Sequence, residues 1–215
     1  MLCNFDENYK SMITQQDIDK SMSFEEFYQL TEQLVKDKST TGDDKGEAMV
    51  DYTKLNFSRM KRILKTTPIS DDVTNSVECL NDKLTWVVLT ESWCGDAAQN
   101  LPVFAKIAEA NPNINLRILL RDENPKVMDQ YLTNGGKSIP KLIAIGENLN
   151  ELGTWGPRPK FLQDRLYENK VNPKMEMSEL KKEFQIWYTK DKGQTLQNEM
   201  VALLKEWENK DCVSI

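Results

Sequence analysis

The most informative part of this chain is residues 84–98, which read LTWVVLTESWCGDAA. Within it, Trp86 to Leu89 is an unbroken apolar run, which is typical of a strand buried on both faces. Cys94 and Gly95 follow where the pattern changes from that of a strand to that of a helix. The stretch therefore predicts a buried strand that leads into a helix, with Cys94 at the junction.

The chemistry of this junction makes Cys94 a candidate nucleophile. The first backbone N–H groups of a helix have no partner inside the helix, so they stabilise a negative charge. A thiolate at such a position has a lowered pKa, and the thiolate is the reactive form of cysteine. Asp96 opposes this effect, because a neighbouring carboxylate raises a thiol pKa. The N–H groups and the Asp96 carboxylate both belong to the first turn of the predicted helix. The sequence alone does not decide whether the thiol pKa is lowered or raised.

Strand and helix patterns alternate from residue 85 to residue 170, in the order β-α-β-α-β-β-α. Gly146-Glu147-Asn148 predicts a hairpin turn between the last two strands. Pro140 follows Ile139 at the start of a strand, where a cis peptide bond would leave a backbone edge free for an incoming peptide. The predicted elements are a helix from 95 to about 110 that contains Pro102, a strand over 114–120, a helix from 122 to about 133, strands over 139–145 and 149–154, and a helix from 159 to about 169.

Helical patterns extend beyond this segment at both ends. The capping box Ser23-Phe24-Glu25-Glu26 opens one helix, and residues 38–47 form a polar loop before a second helix over about 49–66. Residues 173–207 predict two amphipathic helices separated by Lys192-Gly193. The helix over about 49–66 has an apolar stripe and a basic face. The stripe consists of Tyr52, Leu55, Met60, Ile63 and Leu64, and the basic face of Lys54, Arg59, Lys61, Arg62 and Lys65. That basic face is either solvated or a docking patch for an acidic partner.

Composition excludes several classes of protein. The 215 residues contain 28 Lys and Arg against 34 Asp and Glu, a net charge of −6, which argues against nucleic-acid or anionic-membrane binding. The chain has no histidine, which removes Ser-His-Asp triads, Cys-His proteases and HExxH zinc sites. Because we find no signal peptide or apolar span, a cytoplasmic location is expected. The four cysteines show no CxxC spacing, so we expect free thiols and no metal or other cofactor.

Several motifs together resemble the thioredoxin family. They are Trp93-Cys94-Gly95-Asp96-Ala97, 122–125, Ile139-Pro140 and Gly153, and they span about 40% of the chain. The longer matches over 91–99, 121–124 and 153–159 resemble a bacterial thioredoxin-like group with helical extensions. The resemblance implies an α/β fold of the thioredoxin type, with a central sheet and helices on both faces. It also implies that Cys94 is the nucleophile, that Pro140 is the cis-proline, and that Gly153-Thr154 line a substrate groove.

The sequence departs from the family pattern at positions that matter for redox chemistry. Ala97 replaces the second cysteine of the motif, so no disulfide can form within it. Val88 replaces the buried acid that assists the second thiol. Asp96 replaces the usual proline and adds a charge beside Cys94.

Three interpretations of Cys94 follow. In the first, the chain is a monothiol thiol–disulfide oxidoreductase in which an external thiol, or a distant cysteine such as Cys3 or Cys212, resolves the mixed disulfide. A cluster-binding role like that of monothiol glutaredoxins is a variant of it. In the second, the chain is a noncatalytic binding module that holds a client peptide or protein at the Pro140 groove. In the third, Cys94 is only a small residue at a helix start, and function resides in the terminal extensions.

The remaining predictions concern organisation and the surroundings of Cys94. We expect a helical N-terminal extension over 1–80, a thioredoxin-like domain over 81–171 and a C-terminal helical pair over 172–215. The expected partner is a client protein or a low-molecular-weight thiol, with no nucleic acid or membrane; the oligomeric state is open. Cys79 is expected to be buried. The candidate groove residues are Trp93, Gly95, Asp96, Ala97, Ile139, Pro140, Gly153, Thr154 and Trp155. Arg121 and Arg158 are either anion contacts or ion-pair partners of Asp96 or Asp122. Trp155 either forms a wall of the groove or packs under the C-terminal helices.

Overall fold

A five-stranded mixed sheet forms the centre of the protein. A computed structural model describes the backbone of residues 11–211 and the side chains of residues 11–208. The strand order is β1-β3-β2-β4-β5; β2 and β3 are parallel, and the other neighbouring pairs are antiparallel. The strands are β1 (Met22–Ser23), β2 (Leu84–Thr90), β3 (Ile114–Leu120), β4 (Lys141–Ile145) and β5 (Glu151–Trp155).

Helices precede, connect and follow these strands. They are α1 (Gln15–Asp19), α2 (Phe24–Lys36), α3 (Glu47–Thr66), α4 (Asp71–Glu78), α5 (Gly95–Glu109), α6 (Pro125–Met128), α7 (Lys160–Val171), α8 (Met177–Asp191) and α9 (Gln194–Asp211). The capping box at Ser23 opens α2 as predicted, since the Ser23 hydroxyl accepts from the Glu26 N–H while the Glu26 carboxylate accepts from the Ser23 N–H.

The two faces of the sheet bury separate apolar clusters. Because side chains alternate along a strand, Trp86 and Val88 of β2 point to one face and Val87 and Leu89 to the other. Helices α3, α4, α5 and α9 contribute to the first cluster, in which Trp207 of α9 packs edge-on against Trp86. The second cluster contains Cys94 and is covered by α1 and by the segment around α6. The structure thus confirms the predicted α/β fold with helices on both faces and additional helices.

Two sequence predictions of helix extent and orientation were wrong in detail. The helix expected over 122–133 is only α6, because the chain tightens into three-residue turns at Gln130 and Tyr131. The stripe expected on α3 was misplaced in its first half, since Tyr52 and Leu55 are 45% and 46% exposed. Thr53 is buried there instead, because its hydroxyl is hydrogen-bonded to a buried loop.

No helix in the described part of the chain, residues 11–211, is long and apolar enough to cross a membrane.

Candidate functional site

Cys94 lies at the junction of β2 and α5, where it is the N-cap residue of α5. Its Sγ accepts a hydrogen bond from the Ala97 N–H at 3.4 Å and donates one to the Ile139 carbonyl oxygen at 3.3 Å. The Ile139–Pro140 peptide bond is cis, and both residues are buried. The thiol is therefore held between the start of a helix and the segment that enters β4.

The surroundings of Cys94 favour the protonated thiol. Cys94 is only 6% exposed, and burial raises the pKa of its thiol to about 12, with a further contribution from the negative charge of Asp96. The N–H groups of Ala97 and Asp96 and the charge of Arg158 act in the opposite direction. Burial is thus the main reason why the helix start does not give a thiolate at neutral pH.

Two side chains hold the carboxylate of Asp96, one from the segment after β5 and one from α8. Arg158 donates to its Oδ2 from Nη2 at 2.6 Å and from Nε at 3.1 Å. The Tyr188 hydroxyl of α8 donates to its Oδ1 at 3.0 Å, and Asn100 of α5 donates in turn to that hydroxyl at 3.1 Å. The structure thus places Arg158 as the ion-pair partner of Asp96, one of the two roles considered for it.

The start of α5 is covered by α3 and α8. A Cβ added at Gly95 would lie 3.4 Å from Nε2 of Gln185 on α8 and 3.5 Å from Nη1 of Arg59 on α3. Gln185 also accepts a hydrogen bond from Gln99 of α5 at 2.8 Å. A glycine at position 95 therefore allows both helices to approach the Cys94 motif closely.

A hydroxyl cluster that sequence reasoning missed fixes the segment before Trp93. The Ser92 Oγ lies 3.1 Å from the hydroxyls of Thr40, Thr41 and Thr53, and the Thr41 hydroxyl accepts from the Ser92 N–H at 2.8 Å. Asn56 of α3 donates to the Ser92 carbonyl oxygen at 3.2 Å. The polar loop over 38–46 is therefore part of the site. Its sequence shows two glycines and mixed charge, which predict a loop but do not indicate this contact.

A second group of charged side chains surrounds Trp93, the residue before Cys94. The Arg121 guanidinium lies 4.9 Å from the centre of the Trp93 ring and pairs with Asp122 at 2.7 Å. Glu91 is 1% exposed and accepts from the Asp122 N–H at 2.9 Å, and its burial raises the pKa of its carboxyl. Arg121 is thus engaged by Asp122 and by Trp93 while remaining partly exposed beside them.

The predicted groove residues fall into two groups. Ala97 and Ile139 belong to the same buried cluster as Cys94, and Thr154 pairs with Ile143 of that cluster in β4. Trp155 points to the opposite face, where its ring packs edge-on against Phe104 and its Nε1 donates to Glu199 of α9 at 2.6 Å. Of the two roles considered for Trp155, the structure shows packing under the C-terminal helices.

Gly153 also faces away from Cys94, toward α9. A Cβ added there would lie 2.4 Å from Nε1 of Trp207, so α9 packs directly on the backbone of β5. The geometry places Gly153 in the packing of a C-terminal helix rather than in a groove next to the thiol.

The other cysteines do not reach the thiol in the described residues. Cys79 is exposed, so the prediction that it is buried was wrong; it follows α4, whose inward positions are Val73 and Val77. It precedes β2, whereas Cys94 follows β2, so the two thiols lie at opposite ends of that strand. Cys3 and Cys212 lie outside the described residues. Residues 11–208 contain no group of three or more Cys, Asp or Glu side chains that could hold a metal ion.

Comparison with known proteins agrees with this architecture. A family model described as thioredoxin matches residues 42–187, which is more than half of the chain, so the chain belongs to this thioredoxin family. A crystal structure of a protein of unknown function from Pseudomonas aeruginosa is similar, with a TM-score of 0.58 and 18% identity over 90% of this chain and 98% of that one. An HIV epitope-scaffold protein has a TM-score of 0.54 and 16% identity over 86% and 98%. At these identities the likeness concerns the fold alone. No curated protein matches the chain significantly.

Proposed function

We propose that this thioredoxin-like protein is a noncatalytic binding module that holds a client peptide or protein beside Pro140, with Cys94 kept as a buried thiol. The observation that carries the proposal is the hydrogen bond from the Cys94 Sγ to the Ile139 carbonyl oxygen, which requires the proton to stay on sulfur. With a pKa of about 12, almost none of the thiol is ionised at neutral pH, and the thiolate is the form that attacks disulfides.

The residues around the thiol support the same reading. Ala97 occupies the position of the missing second cysteine and is 2% exposed, so no partner thiol is available within the motif. Val88, where the family has a buried acid, lies on the opposite face of the sheet and is fully buried among apolar residues. The chain therefore offers Cys94 neither a second thiol in the motif nor the acid that would assist one, which suits a structural role for Cys94.

The accessible part of this face indicates where a client would bind. Trp93 is half-buried and carries the Arg121 guanidinium on its ring. The loop over 132–138, which leads into Ile139-Pro140, is largely exposed, and its Leu132 side chain is 42% exposed. An aromatic ring, a cation and a flanking loop are suited to a peptide segment with apolar and acidic side chains.

Monothiol thiol–disulfide exchange is the second candidate, as in the bacterial group that the WCGDA motif resembles. It is favoured by the Ala97 N–H, which points at Sγ from the start of a 15-residue helix and would stabilise a thiolate if α8 moved away. In this reaction the Cys94 thiolate would attack one sulfur of a client disulfide and release the other as a thiolate. An external thiolate would then attack the client sulfur of the mixed disulfide, which returns Cys94 as a thiolate.

The pH dependence of Cys94 alkylation separates the two candidates. Iodoacetamide labelling is followed by peptide mass spectrometry from pH 6 to pH 10, with Cys94→Ser as the blank and the exposed Cys79 as a reference thiol in the same chain. For a binding module we expect Cys94 to react at least about 100-fold more slowly than Cys79 at pH 7.5, because it is buried and protonated. If Cys94 reacts faster than Cys79 below pH 8, the proposal is wrong and monothiol exchange takes its place.

Peptide selection tests the binding role directly. A displayed random peptide library is selected on the wild-type protein, and the affinity of the selected peptides is measured on Trp93→Ala and Cys94→Ser. We expect Trp93→Ala to weaken binding at least about tenfold, since aromatic anchors dominate such contacts, and Cys94→Ser to leave it nearly unchanged. If the selected peptides lose affinity only in Cys94→Ser, binding depends on the thiol and the proposed noncatalytic role is wrong.

A further inference from the structure

A cleft that the Cys94 site does not use lies between α3, α5 and the turn that joins α8 to α9. Its volume is about 260 Å³. Ile63 of α3 and Val103 of α5 are buried at its apolar wall, and Gln99 and Tyr188 form its side toward the Cys94 motif. This size is just below the range of about 300–1,000 Å³ for small-molecule sites, so it suits a compact ligand rather than a protein segment.

The charges around the cleft are of one sign. Arg62 of α3 and Lys192 of the α8–α9 turn both line it, and the lining contains no Asp or Glu. Within residues 11–208 no carboxylate lies within ion-pairing distance of either side chain, although the whole chain carries a net charge of −6. The neighbouring Asp191 instead accepts hydrogen bonds from Thr195 at the start of α9.

A third cation lies against the wall of the cleft. Lys106 of α5 donates from Nζ to the carbonyl oxygen of Thr67 at 2.8 Å, and Thr67 is itself a lining residue. The cleft thus combines an apolar wall with positive charges that lack a negative partner.

We propose that this cleft binds a small molecule that carries a carboxylate or phosphate group. Arg62 and Lys192 hold the oxyanion through charge-assisted hydrogen bonds, and a compact apolar part of the ligand packs on Ile63 and Val103. The inference does not rest on the proposed function, because none of these four residues is hydrogen-bonded to Cys94.

The cleft shares two side chains with the cover of the Cys94 motif. Tyr188 lines the cleft and donates to Asp96, and Gln99 lines it and donates to Gln185 of α8. A ligand that packs against Tyr188 and Gln99 therefore stabilises α8 in its position over the motif.

Calorimetric titration with phenyl phosphate, benzoate and the neutral benzyl alcohol tests the proposal at a fixed salt concentration. We expect saturable binding of at least one of the two anions and none of benzyl alcohol, with affinity lowered at least about tenfold in both Arg62→Gln and Lys192→Gln. The anion that binds more tightly identifies the oxyanion that the cleft prefers.

Two matched variants control for nonspecific attraction. Lys61→Gln on α3 and Lys190→Gln near the end of α8 remove exposed cations close to Arg62 and Lys192 but outside the cleft, and should leave the affinity unchanged. The proposal is overturned if neither anion binds saturably, if benzyl alcohol binds as well as the anions, or if the control variants weaken binding as much as the cleft variants. Circular dichroism serves to check that all four variants are folded.

Discussion

Arg158 and Asp96 form an ion pair with Nη2 and Oδ2 2.6 Å apart, and their side chains are only 14% and 15% exposed. The pair joins the first turn of α5 to the segment that follows β5, directly beside Cys94. Tyr188 occupies the other oxygen of the same carboxylate, so α8 is tied to the motif as well. Asp96, which replaces the usual proline of the family, thus connects the start of α5 to α8 and to the segment after β5.

Arg158→Met tests the contribution of this pair to stability. The variant leaves the mostly buried Asp96 charge without its cation, so we expect the free energy of unfolding to fall by about 2–3 kcal/mol in urea denaturation, somewhat less than for a fully buried pair. Lys160→Met breaks an exposed pair with Asp164 and should cost at most about 0.5 kcal/mol. The double variant Arg158→Met/Asp96→Asn should recover part of the loss; if it loses the sum of both single effects, the two residues are not coupled.

Asp96→Asn tests the electrostatic effect of the carboxylate on the thiol. Removing the negative charge leaves the positive charge of Arg158 next to Cys94, so the thiol pKa should fall while staying above its ordinary value, because burial is the larger cause. We expect Cys94 alkylation to become several-fold faster near pH 8, with its titration curve displaced to lower pH. Asp164→Asn, on the exposed side of α7, should have no effect. A pKa change leaves the plateau rate above the titration midpoint unaltered, so a higher plateau rate with an undisplaced midpoint would indicate loosening of α8 instead.

The pKa of Cys94 also predicts how stability depends on alkaline pH. The folded-state pKa is raised from 9.0 to about 12, so between these values the unfolded chain has lost the thiol proton while the folded chain still holds it. Unfolding therefore becomes more favourable as pH rises from about 9 toward 12, by up to about 1.4 kcal/mol per pH unit, and below pH 9 this group has no effect.

Urea denaturation of wild type and Cys94→Ser from pH 8 to pH 10.5 measures this contribution. The unfolding free energy of wild type should decline relative to that of Cys94→Ser above pH 9. Cys79→Ser controls for the general effect of losing a thiol. A difference between wild type and Cys94→Ser that stays constant across the range would show that the folded thiol ionises as readily as the unfolded one.

Local sequence patterns were sufficient for strands β2 to β5 and for the position of Cys94. The apolar run of β2 and the turn at 146–148 depend on neighbouring residues, which a sequence displays directly. The short strand β1 and helix α1 were missed, because strands and helices of two to five residues carry almost no periodic signal.

The surroundings of Cys94 depend on contacts between distant positions, and these were not predictable. Tyr188 and Asp96 are 92 positions apart, and Ser92 meets Thr40 across 52 positions. A single sequence contains no pairing information for such polar contacts. Thr53 and Asn56 illustrate the physical reason. Their polar side chains are buried because they form hydrogen bonds, whereas the buried face of a helix is predicted from its apolar residues alone.

Gly153→Ala tests whether Gly153 serves the packing of α9. The added Cβ would lie 2.4 Å from Nε1 of the fully buried Trp207, so the indole ring or the β5 backbone must shift. Overpacking of this kind costs about 1–3 kcal/mol, which urea denaturation should show as a loss of unfolding free energy. Gly136→Ala is the matched control, since its Cβ would lie no closer than 3.4 Å to any neighbour, and it should change stability little. The smaller ring in Gly153→Ala/Trp207→Phe should reduce the penalty of the alanine below that seen with Trp207; an equal penalty in both backgrounds would mean that the alanine destabilises β5 itself and not its contact with α9.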